Sequence, residues 1–123
     1  MYQSNKEFSD ELKRRIYRFI LKLIKYIDSL PQTDLLCRTA SSQLIRSGTS
    51  IGANYIEAIA GSSLKDFANF LSHSLKSANE SKFWLALLRD TNKGDKTITN
   101  ELLQELTEIS NIIGKSVKTL KAK

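Results

Sequence analysis

Residues 43–89 read QLIRSGTSIGANYIEAIAGSSLKDFANFLSHSLKSANESKFWLALLR, and their spacing decides the fold. Up to Ala60, the apolar and small residues Leu44, Ser47, Ile51, Tyr55 and Ala58 recur at three- and four-residue steps. That is the period of a helix with one buried face, whereas a half-buried strand alternates every second residue. Gly61-Ser62-Ser63 interrupts the pattern, and Ser63-Leu64-Lys65-Asp66 restarts it as a helix-capping signature. Leu64, Phe67, Leu71, Leu75, Ala78, Leu85 and Leu88 form the next stripe. Two amphipathic helices joined by so short a break fold back on each other as an antiparallel hairpin. Within the first, Ser47-Gly48-Thr49-Ser50-Ile51-Gly52-Ala53 is a poor helix former by propensity. Two glycines four apart in a helix imply close approach of another backbone, and a turn at Gly48 is the competing reading.

The same period extends in both directions. A first helix is expected over about residues 5–29, opened by a capping box at Ser4-Asn5-Lys6-Glu7 and stopped by Pro31. Leu12, Ile16, Phe19, Ile20, Leu23, Ile27 and Leu30 form its apolar face, with Arg14, Arg18, Lys22 and Lys25 opposite, within about 80° of each other. The second helix covers about 34–60 with Thr33 as N-cap, and the third about 64–91. The fourth covers about 99–120, with Leu102, Leu106, Ile109, Ile113, Val117 and Leu120 facing inward. Its acids (Glu101, Glu105, Glu108) come early and its bases (Lys115, Lys118, Lys121) late, which complements the helix dipole. The expected fold is all-α: one domain, residues 1–123, forming an antiparallel up-down-up-down four-helix bundle.

Composition narrows the classes further. A length of 123 residues suits one domain. One cysteine, Cys37, forms no internal disulfide and, with one histidine, His73, builds no structural zinc site. No apolar run approaches the ~18 residues of a membrane span. The opening MYQSNKEFSDELKRR lacks an apolar signal core, so a soluble cytoplasmic protein is expected. The formal net charge is +6, with the excess mostly at the two ends of the sequence. That permits nucleic acid or an acidic partner and demands neither.

In the antiparallel hairpin, paired residue numbers have a constant sum near 126, set by the turn at Ser62-Ser63. Arg46 then lies level with Glu80, and Glu57 level with Asn69. Arg46, Ser50, Asn54 and Glu57 share one face of their helix; His73, Ser77, Glu80 and Trp84 share one face of theirs. A polar seam of Arg46, Asn54, Glu57 and Glu80 is expected, closed by an Arg46–Glu80 ion pair that fixes register. A binding or catalytic role for that pair is the alternative.

These residues resemble a known family. Gln43-Leu44-x-Arg46-Ser47, Ser50-Ile51-Gly52-Ala53-Asn54, Glu57-Ala58, Lys65-Asp66-Phe67, and Glu80 followed by Trp84-Leu85 are similar to the 23S ribosomal RNA intervening-sequence proteins. That family is akin to the accessory variability proteins of diversity-generating retroelements. The resemblance implies a four-helix bundle, a ring-shaped homopentamer with a basic surface, and a role connected with RNA, DNA or a reverse-transcriptase partner. Relatives commonly carry Glu where Ser77 stands, a basic residue where Asn79 stands and a more polar pair where Tyr55-Ile56 stands. Any function resting on charge at 77 or 79 therefore does not carry over.

The catalytic and metal options are thin. His73 with Asp66, Glu80 and Cys37 lacks the Glu-x-x-His spacing of carboxylate-bridged bundles. Ser47 or Ser50 with His73 has no nucleophile elbow, and Gly48-x-x-x-Gly52 lacks the Gly-Lys-Ser/Thr ending of a phosphate loop. No enzyme activity, metal or cofactor is expected. Phe83 and Trp84 are adjacent, so at least one points off the core stripe; with Tyr55 and Phe70 they are candidates for a subunit interface. The expected function is sequence-tolerant nucleic-acid binding by a self-associating bundle, through Arg14, Arg18, Lys22 and Lys25 and the C-terminal lysines. The basic stripe lacks interleaved aromatics, which favours backbone contacts over base stacking. The alternative is a protein–protein interaction scaffold that binds no nucleic acid.

Overall fold

A computed structural model of the chain describes residues 2–122, with side chains described from residue 6. Four helices follow one another: α1 (Tyr2–Ser29), α2 (Leu35–Ala60), α3 (Leu64–Asp90) and α4 (Lys96–Lys121). Each packs on its two neighbours, α1 on α2 and α4, α3 on α2 and α4, closing a four-membered ring around one core. Every neighbouring pair is antiparallel. Gly48 and Gly52 meet Leu23 and Ile20, Ser47 and Ile51 meet Ser81 and Ser74, and Arg15 and Tyr26 meet Glu105 and Thr99. Lys82 meets Ser110, and Leu75 lies beside Gly114.

The expected stripes are the core. Leu12, Ile16, Phe19 and Leu23 of α1, Leu44 and Ile51 of α2, Leu71, Leu85 and Leu88 of α3, and Leu106, Ile109 and Ile113 of α4 are all buried. Leu64 departs from its stripe: as the first residue of α3 it projects past the core and is exposed. The helix boundaries also differ from expectation. Helix α1 runs through Ser4-Glu7 from Tyr2, so no helix starts at the proposed capping box, and the side chains of residues 4 and 5 lie outside the described ones. Asp34, not Thr33, caps α2, because its carboxylate accepts from the Cys37 backbone amide at 2.9 Å. Helix α4 begins at Lys96, capped by Asp95 accepting from Ile98. Ser63 caps α3 as expected, accepting from the Asp66 amide at 3.1 Å.

Helix α2 is unbroken through Gly48, so the turn reading falls. The glycines admit side chains of α1 rather than its backbone. A Cβ on Gly48 would overlap Leu23 Cδ2, and one on Gly52 would stand 2.9 Å from Ile20 Cδ1. Helices α2 and α3 make the closest pair, which small buried residues allow: Ala40, Ser41 and Ser47 face Ser74, Ala78 and Ser81. Ser81 donates to the Ser77 carbonyl, so its oxygen accepts from the Ser47 hydroxyl at 2.7 Å. Ser74 donates to the Ile51 carbonyl at 2.8 Å.

At the far end of the hairpin, the α1–α2 and α3–α4 loops are tied together. Lys93 Nζ donates to Asp34 Oδ1 at 2.6 Å. Gly94 takes a left-handed φ of 72° and sits so close to Tyr26 and Leu30 that a Cβ would stand 2.7 Å from the Tyr26 hydroxyl oxygen. The buried Tyr26 hydroxyl shares a 2.7 Å hydrogen bond with Thr99.

Candidate nucleic-acid interface

The outer surface of α1 carries four expected cations, Arg14, Arg18, Lys22 and Lys25, and all four are exposed. Among the described residues their one ion pair is Arg14 with Glu11, a long 3.8 Å contact one turn back on the same helix. Arg15 contrasts with them. It turns toward α4, where Nε and Nη2 donate to the two oxygens of Glu105 at 2.7 and 2.8 Å and Nη2 also reaches Glu108 at 2.6 Å. Those hydrogen bonds hold the Arg15 guanidinium charged and pull the Glu105 carboxyl below the usual carboxylate range against the effect of burial. Lys22 and Arg18 add a weaker attraction to Glu105.

The four cations do not form one uniform stripe. Lys22 and Lys25 border the groove between α1 and α4, where Glu101 and Glu105 offset them. Arg14 and Arg18 border the groove between α1 and α2, joined there by Lys13 and faced by a single acid, Asp10. With Glu11 paired to Arg14, Lys13 and Arg18 are the cations of that groove without an ion pair among the described residues. The antiparallel α1–α4 pair also sets exposed Lys115 and Lys118 at the end of the bundle where α1 begins. The α1–α2 groove holds about 600 Å³, with Ile16, Ile20, Gly52 and Tyr55 below and Tyr17 and Ile56 at its sides. Tyr17 is 63% exposed.

The expected polar seam is only partly assembled. Asn54 and Glu80 do come together, with Phe70, His73, Lys76 and Ser77, in a shallow groove between α2 and α3. Asn54 is held there by its amide donating to the Ser50 carbonyl at 2.9 Å. Arg46 and Glu80 form no ion pair; both side chains stand in solvent, and Glu57 is exposed as well. The seam is locked instead by Ser47 and Ser81, each one residue further along its helix. Small hydroxyls fit where two helices approach closely, and burial of a charged pair carries a desolvation penalty that solvent exposure avoids.

Of the interface candidates, Tyr55 is a correction. It is 3% exposed, and its hydroxyl donates to the Ser9 carbonyl at 3.1 Å, so it joins α1 to α2 in the core. Phe83 is 58% exposed and meets the half-buried Trp84 edge-on, ring centres 5.2 Å apart. Ile45, Ile56 and Ile59 add an exposed apolar flank on α2. His73 and Cys37 sit far apart: His73 is level with the middle of α2, and Cys37, buried, is in its first turn, roughly 24 Å away along the helix. Among the described residues no three His, Cys, Asp or Glu side chains converge on a metal position. No described helix is long and apolar enough to cross a membrane.

No local spacing marks Arg15 as a clamp, because its partners lie on α4. The i, i+3 pair Glu105 and Glu108 was the available signal.

Comparison with known proteins agrees with this architecture. No curated protein matches the sequence. Among solved structures, a protein of unknown function from the S23 ribosomal protein family of Bacteroides thetaiotaomicron VPI-5482 is similar. It shares 34% identity over 89% of this chain and 97% of that chain, with a TM-score of 0.76. The model of the 23S rRNA-intervening sequence protein family matches residues 9–115. With four helices in the expected order and a match across most of its length, the chain belongs to the 23S rRNA-intervening sequence protein family.

Proposed function

We propose that this protein is a non-enzymatic, self-associating helical bundle that binds RNA or DNA through the basic outer face of α1, with little regard to sequence. The observation that carries the reading is the contrast on that helix. Arg15 is neutralised by two carboxylates, while Arg14 and Arg18 on either side of it stay exposed, with Lys13 beside them. Exposed cations with no more than one long, local ion pair among them suit phosphate, which a helix surface contacts without reading bases. The net charge of +6 acts in the same direction. In a pentamer, the state that members of the family suggest, five copies would carry about +30 and steer polyanions strongly. Self-association is supported by the exposed Phe83 of α3 and by Ile45 and Ile59 on one flank of α2, since exposed apolar groups mark interaction surfaces.

The test is fluorescence anisotropy of labelled RNA and DNA with nuclease-treated protein across a salt series. Phosphate binding gives affinity that falls steeply with salt. Arg14→Ala or Arg18→Ala then weakens binding to all sequences alike and lowers the salt slope by about 1. Absence of binding at low salt overturns this reading and leaves the interaction scaffold, which the same apolar flank supports.

A further inference from the structure

The α1–α2 groove combines two features that phosphate binding alone does not use. One is a planar aromatic face: Tyr17 is 63% exposed, and among the described residues its ring stacks on no other and its hydroxyl has no hydrogen-bond partner. The other is an apolar slot beneath it, floored by Ile20 packed onto Gly52 and walled across by Ile56, which is 50% exposed. Three cations and one acid, Asp10, rim this slot. Arg14 and Arg18 lie one helical turn apart, with Cβ atoms about 5–6 Å from each other, and Lys13 completes the rim. Tyr17 falls between them in sequence and shares their groove.

We propose that this groove is a base-accepting site, in which one unpaired nucleobase stacks on Tyr17 while Arg14, Arg18 and Lys13 hold its flanking phosphates. The inference rests on the nucleic-acid reading above and adds the substrate class: single-stranded rather than duplex nucleic acid. An aromatic face beside guanidinium groups suits a ligand with its own π-face and its own negative charge. Such a platform tolerates every base, because each has a face to stack. In a duplex the bases are already stacked on each other, so Tyr17 would have nothing to receive. An acidic amphipathic helix would match the charge but would bring aliphatic anchors over two turns, and the cations and Tyr17 occupy little more than one turn of α1. The sequence pattern places Tyr17 beside the basic stripe; in the folded protein the α2 wall turns that flank into a slot.

The test compares three fluorescein-labelled probes of one sequence in anisotropy titrations of the full chain: single strand, blunt duplex, and a single strand with abasic sites. The expected order has the intact single strand bound about tenfold or more tightly than the other two. Tyr17→Leu, which keeps apolar bulk, abolishes that preference and leaves duplex binding in place; Tyr17→Phe retains it. Tyr17 is exposed, so unchanged circular dichroism is expected for both variants. Equal affinity for all three probes, or a Tyr17→Leu loss shared equally by strand and duplex, overturns the base-accepting site and leaves the basic face standing. No binding of any probe overturns both. A Tyr17→Leu protein that dissociates in sedimentation while keeping its preference for the single strand assigns the groove to a second copy of the chain and overturns the proposal.

Discussion

The guanidinium of Arg15 grips the carboxylate of Glu105 with two hydrogen bonds of 2.7 and 2.8 Å, joining helices that are first and last in the chain. The clamp shares that junction with the buried hydrogen bond between Tyr26 and Thr99. Fork-to-carboxylate geometry is specific, and both side chains are about two-thirds shielded from solvent.

Removal of either partner should therefore lower stability by about 1 kcal/mol, and a double-mutant cycle for Arg15→Ala and Glu105→Ala should give a coupling of about 0.5 kcal/mol or more. The matching cycle for Arg46→Ala and Glu80→Ala should give a coupling near zero, because those groups do not touch. Urea denaturation of the single and double variants reads both. A strong Arg46–Glu80 coupling would contradict the exposed, separate placement of those side chains.

Asp34 does two jobs at the opposite end. It caps α2 and accepts from Lys93, and the two interactions lower its carboxyl from 3.8 to about 2, the Lys93 hydrogen bond contributing most. An acid whose pKa falls on folding stabilises the fold at pH values above its unfolded pKa and loses that contribution as pH drops toward its folded value. Glu105 shifts in the same direction. Thermal stability should therefore hold near neutrality and fall between about pH 4 and pH 2. Asp34→Asn keeps a capping oxygen and should flatten part of that acid limb. Asp34→Ala loses cap and ion pair together and should melt lower than Asp34→Asn at neutral pH. Scanning calorimetry across pH separates the two effects.

The glycines of α2 and α4 should respond to alanine with opposite signs. Gly114 sits inside α4 with Leu75 no nearer than 3.8 Å to an added Cβ, so Gly114→Ala should gain about 0.5–1 kcal/mol of helix propensity. At Gly48 the same methyl would meet Leu23 Cδ2, and Leu23 is buried in the core. Gly48→Ala should lose about 1–3 kcal/mol through overpacking, outweighing the propensity gain. Melting temperatures of the two variants decide it.

The sequence carried the core and the hairpin register well, for a physical reason. Leu44, Ile51, Leu71 and Leu85 have no stable place but the inner face, so helical period alone locates them. Ser47 and Ser81, and Ile51 and Ser74, meet within two residues of the level that a turn at Ser62-Ser63 dictates. What failed was the choice between neighbours. Arg46 and Ser47, or Glu80 and Ser81, differ by one step of about 100° around the helix, and which of the two enters the seam depends on how closely the helices approach. That distance is set by Ala40, Ala78 and the serines together, with no signature at any one of them. Asp34 and Asp95, the caps of α2 and α4, each lie in a run of polar residues with equal local claims to that role. The Arg15 clamp was hidden for a different reason: its partners become neighbours only once the ring closes.

Phe83 offers the cleanest separation of monomer stability from assembly. It is 58% exposed, on a helix whose inner face is already filled by Leu71, Ala78, Leu85 and Leu88. Among the described residues its one aromatic contact is the edge of Trp84. Phe83→Ser should thus change unfolding at high dilution by no more than about 0.5 kcal/mol, the range of ordinary surface substitutions. In a self-associating protein the same change should weaken assembly more strongly, because a central aromatic anchor is worth about 2 kcal/mol or more when an interface buries it. Sedimentation velocity over a concentration series reads the assembly, and the concentration dependence of the melting temperature reads its link to folding. If Phe83→Ser leaves the oligomer intact while a charge placed at Ile45 or Ile59 breaks it, the subunits meet along the α1–α2 flank. Phe83 would then remain an open surface for a protein partner.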